Sequence, residues 1–268
     1  MTWTDREGAP FTQAVWDEID AVARAAAGEV RAVRRVLPLV GPLGFSARAG
    51  VAEDLAIEEV VGRAHLHVPR VRALPVIHRS VSLGARGVEA RLARDEPLAL
   101  EAVAEAAREV ARAEDHLALE GNAAAGVRGL AAAEGAIALP LGDWADPARA
   151  ADDLLGALAR LDAAGRHGPF AALVAPARFY ALLRPHPSGL TPLAQLAPAF
   201  EGGIVRAPGL ADVALVVSRG PSGPRLAIGA ELTATYDGRE GIFHRLSLVE
   251  SVTLLPGAPG TVAVLKRG

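Results

Sequence analysis

Few residues in this chain have the types and spacing to do chemistry. His65-Leu66-His67 sets two imidazoles two positions apart, and on a strand such residues share a face, so both could meet one metal ion. A metal site needs further ligands, for which Glu58 and Glu59 are the neighbours at hand. Two exposed histidines on a loop fit the same pattern, and no metal is expected. Glu114 falls four residues after Val110, where a helical stripe calls for an apolar side chain, and His116 and Glu120 stand one turn apart. A buried carboxylate can be catalytic; the expectation here is a structural partner for an arginine, with Arg128 as the candidate. Gly220-Pro221-Ser222-Gly223 lacks the spacing of a Gly-x-Ser-x-Gly elbow and reads as a turn. Neither a phosphate loop nor a dinucleotide fingerprint occurs. The chain is expected to be no enzyme and to hold no cofactor.

Composition narrows the classes further. The 268 residues contain no cysteine, which excludes disulfides, thiolate catalysis and cysteine metal sites. A formal net charge of −3 argues against nucleic acid as the main partner, because phosphate binding needs a concentrated positive field. Arg31, Arg34 and Arg35 are the nearest thing to a basic patch and read as a solvated helix end. Lys266 is the only lysine. Neither a signal peptide nor an apolar run of about 18 residues is visible, so no membrane is expected and the location is read as cytoplasmic. Hydrophobic residues make up 51% and aromatic ones 4%, so the core is built from Ala, Val and Leu.

The elements that must position these groups are organised around residues 96–130. Leu100, Val103, Ala107, Val110 and Leu117 recur with helical rhythm. Pro97 suits a first turn and Gly121 a stop, giving a helix of about six turns. Thr12 caps an earlier helix that carries Val15, Ile19, Val22 and Ala26 to about residue 27. From Phe45 to Val76 the rhythm disappears, and a strand pair turning around 58–62 is expected; alone it would bury little of its surface and so needs a neighbour. Residues 74–93 read as a strand and an irregular segment. Asp146-Pro147 opens a second helix with Leu154, Leu155, Leu158 and Leu161, and residues 136–218 alternate helix and strand as an α/β subdomain. Strands over 225–228, 231–236, 243–255 and 262–265 are expected to pack back on the long helix.

Three stretches carry a family likeness. They are Ala9-Pro10-Phe11-Thr12 with Trp16-Asp17-Glu18-Ile19-Asp20, then Gly41-Pro42-Leu43-Gly44-Phe45, and the long helix with Ala113-Glu114-Asp115 and its Gly126-Val127-Arg128-Gly129-Leu130 exit. In order and spacing the chain resembles the encapsulin shell proteins, also called the linocin-type bacteriocin family. The resemblance implies an α+β fold, that of tailed-phage major capsid proteins. It divides the chain into an N-terminal arm and helix (1–44), an extension loop (45–73) lying on the adjacent subunit, a peripheral domain with the spine helix (74–135), an axial domain (136–218) and returning peripheral strands (219–268).

It also implies self-assembly into an icosahedral nanocompartment of about sixty copies or a multiple. The shell would enclose a cargo enzyme held by a short terminal loading peptide, either a ferritin-like iron oxidase or a dye-decolourising peroxidase. A prophage capsid protein and a soluble peptidase or bacteriocin are the alternatives. A cargo groove is expected from Arg34, Val36 and Pro38 with the strand Leu232, Ala234 and Tyr236. Pro185, His186, Pro187, Ser188 and Gly189 would line a five-fold pore, with His186 making it more cationic in mild acid. The chain departs from the family at Pro38, where many members carry Asp. It departs again at Arg86-Gly87, where some have a ring that can stack a flavin, so no flavin is expected. At 219–224, Arg-Gly-Pro-Ser-Gly-Pro replaces a frequent Arg-Gly-Gly-Asp.

Overall fold

A computed structural model describes residues 3–185 and 189–267. The Thr12 side chain accepts a hydrogen bond from the Val15 amide and caps α1 (Gln13–Val30), which buries Val15, Trp16, Ile19, Ala23, Ala26 and Ala27. This helix runs past Gly28, three residues beyond its expected end. Glycine there costs about 1 kcal/mol relative to alanine, less than the buried stripe contributes. A short turn at Val33–Arg35 leads to β1 (Leu39–Val40). At Gly41 a Cβ would stand 2.3 Å from the Ile228 carbonyl oxygen at a φ of +122°, so only glycine fits this approach to a neighbouring strand.

The strand pair then appears as β2 (Ala49–Val61) and β3 (Ala64–Ala73), turning at Gly62-Arg63. After β4 (Val76–Gly84) comes α2 (Ala85–Arg94), a helix where an irregular segment was expected. Ten residues that bury only Ala85, Val88 and Ala90 give too short a stripe to read in sequence. The spine, α3 (Glu101–Leu119), starts four residues after Pro97 and is just over five turns long. Pro97 is therefore in the approach to the helix, not its first turn. A two-residue ladder, β5 (Gly121–Asn122) with β6 (Val127–Arg128), closes its exit.

The α/β part contains β7 (Ile137–Pro140), α4 (Pro147–Ala163), β8 (Phe170–Val174), α5 (Pro176–Ala181), α6 (Pro192–Leu196), β9 (Ile204–Arg206) and β10 (Val213–Ser218). Asp146 caps α4 by accepting from the Ala148 amide, with Pro147 next. The chain ends with β11 (Arg225–Glu240), β12 (Phe243–Leu255) and β13 (Val262–Lys266).

Two sheets organise the molecule, ordered β1-β11-β12-β4 and β7-β13-β10-β8-β9. The helices α1 and α3 cover one face of the first, meeting it at Val81, Leu83, Leu232, Ala234, Leu246 and Leu248. β8 is apolar throughout because both its faces are covered: Phe170, Ala172 and Val174 pack toward α4, while Ala171 and Leu173 face a core shared with Leu119, Leu226 and Leu254. β13 corrects an expectation. It does not return to the spine helix but lies between β7 and β10. Val262, Ala263, Val264 and Leu265 are all buried, as suits a strand covered on both faces.

Candidate functional site

Where the end of α1 meets α3, β11 and β12, the structure assembles a charged cluster sealed from solvent. The Glu114 and Glu250 side chains are 0% exposed, and Arg31 and Arg34 lie over them. Arg34 donates from Nε to Glu114 Oε1 at 2.6 Å, from Nη1 to Glu231 Oε2 at 2.5 Å and from Nη2 to Glu250 Oε2 at 3.4 Å. Arg31 Nε is 3.0 Å from Glu114 Oε2, and its Nη2 donates to Glu250. Beside them Asp115 accepts from the Ala32 and Val33 amides at 2.7 and 3.0 Å, so an α3 carboxylate caps the Val33–Arg35 turn.

Burial and the neighbouring Glu114 push the Glu250 carboxyl up to about 8, outweighing the two arginines. Burial also raises Asp115, to about 6, against the pull of its two amide donors. Burial alone would lower Arg34, but its hydrogen bond and charge contacts with Glu114 carry it above the ordinary range. The ion pairs leave Arg31 Nε, Glu114 Oε2 and Glu250 Oε1 buried without a hydrogen bond; the cluster binds four elements together and presents no nucleophile.

Several expectations are corrected here. Arg31 and Arg34 are not a solvated face; of the three arginines only Arg35 is exposed. Glu114 is not paired with Arg128, which faces Glu134 at 3.9 Å on the surface. Glu250 went unnoticed in sequence, although a carboxylate amid Leu246, Leu248, Val249 and Val252 is itself a sign of a buried partner. His116 and Glu120 are both exposed and, among the described residues, form no ion pair. His65 Nδ1 lies 2.6 Å from Glu58 Oε1, and the His65 and His67 rings stack 6.4 Å apart on an exposed strand. No three ligand-type side chains gather around a metal position among the described residues. Gly220–Gly223 is a turn, closed by the Gly223 amide donating to the Gly220 carbonyl.

The residues expected to form a cargo groove are separated. Val36 is 0% exposed in the core shared by the two sheets, whereas Leu232 and Ala234 are buried under α1 and α3. Pro38 accepts from the Leu226 amide, and Tyr236 lies ten residues further along β11, roughly 30 Å away. Only Arg34 stays beside the middle of that strand, through Glu231. Pro185 and Gly189 are exposed, while His186, Pro187 and Ser188 lie outside the described residues.

The free edge of β11 is the more open feature. Leu43 and Gly44 amides donate to the Ile228 and Gly229 carbonyls, and the Tyr236 amide donates to the Thr4 carbonyl. Between these points, among the described residues, no strand pairs with that edge. The β2–β3 hairpin is open as well, with Ile57, Val60, Val61 and Leu66 between 47% and 62% exposed. Among the described residues no helix is long and apolar enough to cross a membrane.

Comparison with known proteins agrees with this architecture. A family model described as "Linocin_M18: Encapsulating protein for peroxidase" matches residues 1–253. The type 1 encapsulin shell protein of Rhodospirillum rubrum is 34% identical over 260 residues, covering 92% of this chain and 90% of its own. The virus-like particle from Pyrococcus furiosus superposes with a TM-score of 0.75 at 19% identity, over 94% of this chain and 99% of that one. The capsid of Myoviridae phage XM1 superposes with a TM-score of 0.62 at 12% identity, over 88% and 91%. With a phage-capsid fold and a family match over nearly its whole length, the chain belongs to the encapsulin shell proteins, a structural family rather than a catalytic one.

Proposed function

We propose that this subunit builds a closed icosahedral shell of about sixty copies in the cytoplasm. The observation that carries this is the β2–β3 hairpin, whose aliphatic side chains have no cover within the subunit. Light scattering is expected to find a particle of about 1.7 MDa, sixty times the 27.6 kDa chain. Monomers or dimers alone at physiological salt would overturn the reading. The contents are a cargo enzyme, a dye-decolourising peroxidase or a ferritin-like iron oxidase; the family description, which names a peroxidase, supports the first. Pro185 and Gly189, the described ends of their loop, flank the five-fold opening in this reading.

The cargo is held by a terminal peptide that adds to the β11 edge. In a strand the N–H and C=O of alternate residues point the same way. Since Tyr236 aims its amide at Thr4, Ala234, two residues back, aims its own at the same edge, where its carbonyl already accepts from Arg6 Nε at 2.9 Å; Leu232 lies beyond a register shift, beside Arg34 and Glu231. Their side chains stay in the core, so the backbone does the holding and Arg34 supplies charge. A loading tail N-methylated at every second residue, in the register facing β11, is expected to load about tenfold less or worse. Methylation in the opposite register is expected to leave loading intact. Equal loading by both tails would refute strand addition.

A further inference from the structure

The segment that precedes α1 lies against the open edge of β11. Arg6 anchors it there: Nε donates to the Ala234 carbonyl at 2.9 Å, and Nη1 and Nη2 donate to the Asp20 carboxylate at 2.9 and 2.7 Å. The same guanidinium sits 4.4 Å from the centre of the Trp16 ring. Two residues earlier, the Thr4 carbonyl accepts from the Tyr236 amide. At the other end of the open stretch the Gly44 amide donates to the Gly229 carbonyl. Trp3 and Phe45, the next residues beyond these two contacts, stack with ring centres 4.1 Å apart and planes 6° from parallel.

The stack bridges the edge. Gly229 and Tyr236 are seven residues apart, about 20 Å of bulged strand. A path from Thr4 through Trp3 and Phe45 to Gly44 has about the same length, the sum of two Cα steps, two side chains and the stacking distance. It is therefore close to straight and runs beside residues 230–235, where no described strand pairs with this edge. An unpaired edge is a template for any extended chain, and covering it keeps stray strands off. This cover is lightly held. Trp3 is 40% exposed, and the backbone turns through the left-handed region at Asp5 (φ +45°) and Gly44 (φ +95°), close to either end of the bridge. One aromatic pair favours the closed form by only about two- to twelvefold.

We propose that the Trp3–Phe45 stack is a strap that closes the β11 edge of an unloaded subunit, and that an extended peptide displaces it to pair with residues 230–234. This inference rests on the strand-addition reading above. The strap lowers the apparent affinity for the peptide in proportion to the time it stays shut.

The probe is a labelled eight-residue peptide of alternating valine and threonine, present while the full chain assembles. Trp3→Ala and Phe45→Ala are each expected to retain it at about fivefold lower peptide concentration than the unmodified chain. The double variant is expected to match the single ones, because all three lose the same stack. Trp3→Phe, which keeps a ring, is expected to stay near the unmodified value. The unmodified chain gives a second readout. Of its three tryptophans, Trp16 and Trp144 are 3% and 0% exposed, so acrylamide quenching reports on Trp3 and is expected to rise as the peptide binds. Unchanged binding by Trp3→Ala would overturn the strap, and so would weaker binding, which makes the rings part of the peptide's seat. Peptide that binds without altering the quenching would overturn it as well. The same peptide N-methylated throughout cannot pair with a strand. If it binds the unmodified chain equally, or if none of the chains retains the unmethylated peptide, it is the strand-addition reading that fails.

Discussion

Replacing Glu114 with alanine is expected to cost about 3–5 kcal/mol of stability, because it leaves Arg31 and Arg34 pressed into the protein without their shared carboxylate. For a chain of this size that corresponds to a fall of roughly 10 °C in melting temperature. The loss has two parts. The Coulomb attraction disappears, and two guanidinium groups whose side chains are 11% exposed keep their desolvation cost with only Glu250 and the half-exposed Glu231 to offset it. Arg128→Ala, which removes only a surface contact, is expected to change stability by less than about 0.5 kcal/mol. Thermal unfolding of the two variants side by side distinguishes a buried junction from a surface one. Equal melting temperatures would contradict the burial of Glu114.

The second large effect is a dependence on pH of unusual sign. Glu250 holds its proton up to about pH 8 in the folded chain, against an ordinary value of 4.5. Between those values the unfolded chain has released the proton and the folded chain still binds it, so stability falls as pH rises. The fall is complete once pH passes about 8. Asp115 adds a smaller loss of the same sign between 3.8 and about 6. The groups that face Glu250 are Glu114 from α3 and Arg31 and Arg34 from the turn after α1, with Glu231 of β11 behind Arg34. Ionising Glu250 therefore sets two carboxylates together in a space with two arginines already claimed by Glu114 and Glu231. Melting temperature measured from pH 5 to pH 9 is expected to decline for the unmodified chain, and Glu250→Gln, which keeps the shape and removes the charge, is expected to flatten the decline. A variant that tracks the unmodified chain across the whole range would show that Glu250 does not titrate there.

Local rules made some of this readable in sequence and long-range ones hid the rest. Thr12 and Asp146-Pro147 announce their helices because a cap is a matter of three or four neighbouring residues. The spine stripe from Val103 to Leu117 is legible for the same reason. By contrast, Glu114 finds its arginines about 80 residues away and meets Glu250 across more than a hundred, separations over which periodicity says nothing. The residues expected to form a cargo groove show what alternation leaves out. The alternation of β11 shows that Leu232 and Ala234 share a face, but not that α1 and α3 cover it. Val36 looked like their neighbour and belongs to a different core. The placement of β13 was equally hidden, because a run of four small apolar residues fits any covered strand.

The central position of β13 delays closure of its sheet until residues 262–266 have been made. Its neighbours β7 and β10 are made about 125 and 50 residues earlier, yet until residues 262–266 emerge β7 has no strand partner and β10 has only β8. A nascent chain halted before that point holds a sheet split in two, with unpaired backbone groups on the facing edges of β7 and β10. Such a fragment is a target for chaperones and proteases before it can compete for a place in a shell. One short strand thus joins the two halves of its sheet after every other described strand has been made.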